Sequence, residues 1–148
     1  MKKTQKKLGN KGFSLVELIV VIAIMAVLVG VLAPTLIKNI EKSRESKDSQ
    51  NVEQIKSACE VALQNEKAYQ NEVPTSETGT KILVTLTKDG CTVNNDCGDD
   101  FKNELKGIMD VSKTKATSKK YSTAEVKVQV NGKGQVLSLI HISEPTRL

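Results

Sequence analysis

Glu17 is the residue near the N-terminus whose type and position could do chemistry, because it is a single acid between Gly12-Phe13 and a long apolar segment. Its carboxylate could pair with a positive charge. The twenty residues after Glu17, Leu18–Ile37, carry no charge, which is enough to cross a hydrocarbon core as a helix. A carboxylate at that depth costs about 2.5–3.5 kcal/mol on insertion scales, so Glu17 is expected to have a partner or a function.

The net charge of +5 is concentrated at the N-terminus. Five of the 22 basic residues and none of the 17 acidic residues lie in residues 1–12, so the remainder has 17 of each. A neutral remainder lacks the electrostatic signature of a nucleic-acid-binding protein, and no specific nucleic acid is predicted as a partner. By the positive-inside rule, the lysines of residues 1–12 favour a cytoplasmic N-terminus.

The run KGFSLVELIVVIAI at Lys11–Ile24 resembles the class III signal peptides of type IV prepilins and type II secretion pseudopilins. The resemblance covers about Lys11–Ser57 and is most specific at its start. It implies cleavage between Gly12 and Phe13 by prepilin peptidase, followed by N-methylation of Phe13. An ordinary secretory signal fits less well, because its apolar region spans about 7–15 residues and precedes the cleavage site.

The resemblance also implies that Glu17 acts in assembly, by neutralising the Phe13 amine of a neighbouring subunit. Pairing within one subunit is the alternative, because the two residues are four positions apart on one helix face. The implied function is that of a structural subunit of a type IV pilus-like filament, not of an enzyme. One alternative is a pseudopilin of a type II secretion-like system. An alternative from a different class is a single-pass membrane-anchored binding domain, which predicts that Glu17→Ala is tolerated.

The same resemblance implies partners and a location. The partners would be copies of this chain or sibling pilins, prepilin peptidase, an assembly platform protein, and the membrane before assembly. The chain would cross the cytoplasmic membrane once with its leader in the cytoplasm. It would then reach the cell surface as a filament, or form a pseudopilus that spans the periplasm.

The sequence predicts one long helix from Phe13 to about Asn71, apolar on all sides at first and amphipathic later. Pro34 is expected to kink this helix because proline lacks an N–H. The charged residues at positions 41–48 are expected to be solvated. Four residues of the second half recur at spacings of three and four, which predicts packing against a head: Val52, Ile55, Cys59 and Ala62.

The predicted fold class is α+β and pilin-like, with the long N-terminal helix packed on a small antiparallel sheet. Strands are predicted at Lys81–Thr87, with Ile82, Val84 and Leu86 on one face, and at Ala124–Val130. The expected segments are a leader (1–12), a transmembrane or filament-core helix (13–37), an amphipathic helix half (38–71), a head (72–136) and a non-native tail (137–148).

Between the two strands, a helix is predicted at Asp99–Asp110 with Asp99 or Asp100 as its N-cap. Lys113–Lys120 reads as a loop that could contact DNA or an anionic polymer, although a solvated loop is the simpler interpretation. Asn131-Gly132 predicts a hairpin turn, with a returning strand from about Gln135.

The last twelve residues, Leu137–Leu148, are expected not to be native. Eleven consecutive codons of a transposase adapter used in sequencing libraries translate to Leu137–Arg147. The natural sequence is therefore expected to continue differently after about Val136, and the native C-terminal part of the head to be truncated. The tail is nevertheless apolar and β-branched enough to pair as a strand.

Cys91 and Cys97 flank a short polar loop and are a possible disulfide. In an oxidising compartment the bond would stabilise the head by about 2 kcal/mol on the loop-entropy model, and two free thiols are the alternative. Zinc is not expected, because Cys59 lies on the long helix and His141 lies in the non-native tail. No metal or cofactor is predicted, and no nucleophile or phosphate-binding motif indicates an enzyme.

Overall fold

The computed structural model describes Gly12 and residues 14–142. The chain divides into two compact units, the first ending at Asn39 and the second beginning at Ile40. Most of the predicted leader, Phe13 and the end of the tail lie outside the described residues. The elements are helices α1 (Leu15–Ala62), α2 (Glu66–Glu72), α3 (Asp99–Ile108) and α4 (Lys119–Ser122), a 3-10 turn (Val111–Lys113), and strands β1 (Thr80–Leu86), β2 (Cys91–Val93), β3 (Ala124–Asn131) and β4 (Val136–Ile142).

In the first unit, α1 carries an apolar surface that nothing covers. An 18-residue window of this helix has a mean hydropathy of 3.1 and none of it is buried. The helix is long and apolar enough to cross a membrane. It continues as one helix through Pro34, and the expected kink at that residue stays a prediction.

In the second unit, the long helix ends earlier than the sequence predicted. α1 ends at Ala62 and α2 begins at Glu66, so a single helix to Asn71 is wrong. The side chain of Asn65 accepts hydrogen bonds from the backbone N–H groups of Lys67 and Ala68, which makes it the N-cap of α2. The buried stripe is confirmed, because Val52, Ile55, Cys59 and Ala62 are all buried.

The sheet has four antiparallel strands in the order β2-β1-β3-β4. The register of β1 against β3 shifts between Ile82 and Val84, so that Leu83 and Val84 are both buried while Ile82 is only half-buried. The predicted alternation of β1 is therefore wrong at its start, because an irregular register places two successive side chains inside. The short strand β2 was not predicted.

The predicted hairpin after β3 is present, with a different turn from the expected one. After Val136 its second strand, β4, consists of residues 137–142, which belong to the expected non-native tail, so this pairing reflects the composition of the tail rather than the native head. Val130 pairs with Val136, and the N–H of Asn131 donates to the carbonyl oxygen of Gln135 at 3.0 Å. The loop therefore has three residues, and the glycine with positive φ is Gly134, at 78°. A Cβ atom at Gly134 would lie 2.6 Å from the hydroxyl oxygen of Tyr69, an exposed side chain that can move aside, so the positive φ is the main reason for glycine here.

Candidate functional site

The start of α1 is a reciprocal hydrogen-bonded cap. The hydroxyl oxygen of Ser14 accepts from the N–H of Glu17 at 3.2 Å, and the Glu17 carboxylate Oε2 accepts from the N–H of Ser14 at 3.2 Å. The carbonyl oxygen of Ser14 accepts from the N–H of Leu18, which is the first helical bond. This is a capping box, whose signature S-x-x-E was present in the sequence and was missed.

The capping box gives Glu17 a third possible role, as a helix cap, in addition to pairing with the Phe13 amine of a neighbouring subunit or of its own. Both the acid and the positive end of the helix dipole lie in the first turn, so the interaction is favourable without a partner subunit. Gly12 is exposed, as the cleaved side of a scissile bond has to be. Phe13 lies outside the described residues, and the cleavage, methylation and assembly roles of these residues stay predictions.

Past this cap, the side chains from Leu18 to Ile37 are apolar except for Thr35, and most of them are exposed. Leu15, Ile22 and Val31 are 74%, 55% and 68% exposed. A Cβ atom added at Gly30 would have no heavy atom within 4 Å outside its own helix backbone. An apolar surface this extensive is normally covered by lipid or by another protein chain.

The second half of α1 holds the head through a buried carboxylate. The expectation of solvated charges at positions 41–48 is wrong for Asp48, whereas Lys42, Arg44 and Lys47 are exposed. Asp48 is fully buried, and its Oδ2 accepts from the N–H groups of Thr117 and Ser118 at 2.9 and 2.7 Å. Its Oδ1 accepts from the Thr117 hydroxyl at 3.1 Å. Burial raises the pKa of Asp48, but the hydrogen bonds from Ser118 and Thr117 together outweigh it and hold the pKa below its usual value of 3.8. Two turns earlier, Glu41 accepts from the N–H of Lys119.

A second buried carboxylate joins α2 to α3. Glu72 is fully buried, accepts a hydrogen bond from the N–H of Gly98 and forms an ion pair with Lys81 at 2.7 Å. Gly98 is the N-cap of α3, so the prediction of Asp99 or Asp100 at this position is wrong. An acid from another helix supplies the acceptor that a capping side chain would otherwise provide.

All three cysteines are buried in one core cluster and are free thiols. Burial raises the pKa of Cys59, Cys91 and Cys97 to about 12 in each case. The Cys97 thiol donates toward the carbonyl oxygen of Leu83 at 3.7 Å. The structure thus has Cys91 and Cys97 unpaired, where the sequence favoured a disulfide. The disulfide stays a prediction for an oxidising compartment, checked by intact mass with and without reductant.

Within residues 14–142, no group of three or more His, Cys, Asp or Glu side chains is placed to hold a metal ion. The head does have an open groove of about 510 Å³ between β2 and α3. Apolar side chains including Val93, Leu105 and Met109 line it, and Lys102 and Lys106 also border it. The Lys102 ammonium already donates to the carbonyl oxygen of Asn95 at 3.1 Å.

A long apolar helix followed by a small α+β head is a pilin-like architecture, and the comparisons agree with it. The prokaryotic N-terminal methylation motif matches residues 7–33. This match agrees with the resemblance of the segment to the N-termini of type IV pilins and pseudopilins. No solved structure is a significant match to the chain.

The curated relatives are all type II secretion system core proteins G. The one from Pectobacterium carotovorum is 36% identical over 76 residues, which is 51% of this chain and 46% of the relative. The one from Klebsiella pneumoniae is 39% identical over 76 residues, 51% of each chain. The chain thus spans about half the length of the curated relatives it matches.

Proposed function

We propose that this chain is a structural subunit of a pilus-like filament, made as a prepilin and assembled through the first part of α1. The observation that carries the proposal is the combination of the methylation motif at residues 7–33 with an apolar helix surface that none of the described residues covers. A helix with so much exposed apolar surface requires lipid or another protein chain to cover it. Lipid supplies it before assembly, and the helices of neighbouring subunits supply it afterwards.

Processing and location follow from the same segment. Prepilin peptidase cuts between Gly12 and Phe13 and the new Phe13 amine is methylated. Before this step the chain crosses the cytoplasmic membrane once with its basic leader in the cytoplasm. After it, an assembly platform protein transfers the subunit into a filament with sibling pilins or with copies of this chain.

Glu17 sets the axial register of the filament in this proposal. Its Oε2 accepts from the N–H of Ser14, which orients the carboxylate at the start of the helix. A carboxylate accepts several hydrogen bonds at once, so Glu17 can keep this contact while it neutralises the Phe13 amine of a neighbour. Two charges that are costly apart in an apolar environment are then paired in only one register.

Among filament types, the relatives favour a pseudopilin. The curated relatives are named as core protein G of type II secretion systems. A pseudopilin would form a short pseudopilus in secretion, whereas a major pilin would form a surface fibre. The cellular location of the processed subunit separates these two forms of the proposal.

Mass spectrometry of the N-terminal peptide tests the processing step. The expected peptide begins at N-methylated Phe13 and comes from a sheared surface fraction, or from the envelope fraction for a pseudopilin. A chain that keeps Met1–Gly12 in the membrane would overturn the proposal. It would leave a single-pass anchored domain.

Substitutions at the start of α1 test the assembly step. Glu17→Ala is expected to abolish filaments while membrane insertion is retained, because the charge pair that fixes the register is lost. Ser14→Ala removes one half of the capping box and is expected to lower filament yield less. Glu53→Ala is the matched control, since Glu53 is an exposed acid on the second half of α1. Normal filaments from Glu17→Ala would contradict the assembly role.

A further inference from the structure

Residues 113–120, here called the lysine loop, run from the last residue of the 3-10 turn to the second residue of α4, so the predicted loop is wrong at its end, where the chain is helical. Four lysines occur in this stretch without an acid. All four are exposed. Within the described part of the chain, Lys113 forms an ion pair with Asp110 at 3.4 Å, and the Lys120 ammonium lies 5.7 Å from the ring centre of Tyr121. Among the same residues, Lys115 and Lys119 have no ion-pair partner. The ammonium groups of Lys115 and Lys119 are therefore exposed and not paired directly with a described carboxylate.

The two carboxylates that hold the lysine loop bind its backbone rather than its ammonium groups. Glu41 accepts from the N–H of Lys119, and Asp48 accepts from the N–H groups of Thr117 and Ser118. A carboxylate that paired with a lysine side chain would cancel its charge. Bonded to main-chain amides, Glu41 and Asp48 instead fix the loop against α1 and leave the ammonium groups available.

Glu41 and Asp48, the two anchors of the lysine loop, also show which part of α1 the loop contacts. Glu41 is only four residues after Ile37, the last residue of the uncharged segment. When a helix spans a bilayer, the residues that follow its apolar segment lie at the level of the headgroups, where basic side chains meet lipid phosphates. The N–H of Lys119 donates a hydrogen bond to Glu41. In a membrane-spanning chain, the lysine loop is therefore expected at the level of the lipid headgroups.

We propose that the lysine loop is a binding surface for anionic lipid headgroups in the leaflet from which the head emerges. It would hold the head against the membrane until the subunit enters a filament. The inference rests on the membrane stage of the proposed function. The competing partner is the acidic surface of a second copy, where Asp96, Asp99 and Asp100 are exposed. Lipid is favoured because Glu41, which binds the backbone of the loop, follows the uncharged segment by only four residues of the same helix.

Residue-resolved lysine acylation of the full chain in nanodiscs tests the proposal. An N-hydroxysuccinimide acetate probe reacts only with accessible, deprotonated amines. The lipids compared are phosphatidylcholine alone and an equimolar mixture with phosphatidylglycerol. A surface potential of about −30 mV raises the local proton concentration about threefold, so at least this slowing is expected at Lys115 and Lys119 in the anionic discs. High salt should remove the difference, and the exposed Lys67 and Lys133 should react equally in both lipids.

Lipid retention provides a second measurement with a matched control. In mixed-lipid micelles, Lys115→Gln with Lys119→Gln is expected to lower the ratio of phosphatidylglycerol to phosphatidylcholine that co-purifies with the chain. Lys67→Gln with Lys133→Gln removes the same charge elsewhere on the head and is expected to leave the ratio unchanged. Equal loss from both double variants would mean a general charge effect and would overturn the proposal.

The remaining outcomes separate this inference from the proposed function. Equal acylation rates at Lys115 and Lys119 in both lipids overturn the lipid-binding surface alone. Protection that rises with the number of chains per disc, in both lipids, assigns the loop to a second copy and also overturns it. A chain that does not co-elute with nanodiscs refutes the membrane stage and this inference together. Filament assembly itself is tested separately by the methylated Phe13 peptide.

Discussion

The two halves of α1 differ in the polarity and burial of their side chains, although they belong to one helix. From Leu18 to Ile37 the side chains are apolar on nearly every face and almost all exposed, whereas from Ile40 one face is buried and the others are mainly polar. Among the described residues nothing covers the first half, and the second half carries the buried stripe and the buried carboxylate of Asp48. The second half of α1 therefore stabilises the folded head, and the first half carries the proposed membrane and filament contacts.

A matched pair of isoleucines tests this division most strongly. Ile55 is fully buried, whereas Ile22 is 55% exposed. Ile55→Ala is expected to lower the free energy of unfolding of the head by about 4 kcal/mol, because it leaves a cavity in the core. Ile22→Ala is expected to change it by less than about 0.5 kcal/mol. Urea denaturation of the full chain in detergent micelles, followed by near-ultraviolet circular dichroism of the buried Tyr121, measures both.

Equal effects of the two isoleucine variants would contradict the division. They would mean that the first half of α1 also contributes to the core of the head. A large loss of filaments from Ile22→Ala, with the head unaffected, would instead sharpen the comparison.

The Asp48 anchor gives the next largest expected effect. Asp48→Ala removes the acceptor for the N–H groups of Thr117 and Ser118 and for the Thr117 hydroxyl. The buried N–H of Ser118 and the partly buried donors of Thr117 then lack an acceptor, which is expected to cost about 3 kcal/mol of unfolding free energy. The same denaturation assay measures this loss. The exposed Glu53→Ala on the same half of α1 is the control, and a similar loss there would show that helix propensity, not the anchor, is responsible.

The sequence was sufficient to predict the parts of the molecule that depend on composition and periodicity. The uncharged segment, the stripe at Val52 and Ile55, strand β3 and the hairpin all follow from local patterns. The break before α2 was missed because Asn65 sits in an otherwise helical pattern, where a polar residue also reads as an exposed helix position. The burial of Asp48 depends on Thr117, 69 residues away, and no local pattern contains that contact.

The pH dependence of the anchor is a smaller effect with a definite sign. The pKa of Asp48 is lower in the folded chain than its usual value, so its stabilising contribution is complete above about pH 4 and is lost as the pH falls through the folded pKa. The difference in unfolding free energy between the natural chain and Asp48→Asn should therefore be constant from pH 5 to 7 and shrink below about pH 4. The carboxylate of Asp110, whose pKa is also lowered by the Ser112 hydroxyl, is present in both proteins and cancels. A difference that grows on acidification would mean that Asp48 is protonated in the folded chain.

Gly30 offers the smallest and most discriminating change in the first half of α1. A Cβ atom there meets nothing within 4 Å outside its own helix backbone, so Gly30→Ala is expected to favour the isolated helix by up to about 1 kcal/mol. Helicity of the full chain in micelles, measured by far-ultraviolet circular dichroism on heating, should show slightly later fraying.

If neighbouring helices approach closely at Gly30 in the filament, the same methyl group lowers filament yield while it raises helicity, since close backbone approach needs a small residue. Unchanged filament yield together with raised helicity would place Gly30 on a face of the helix that makes no close contact. The sign of the effect on the filament therefore identifies which face of the uncovered helix its partners occupy.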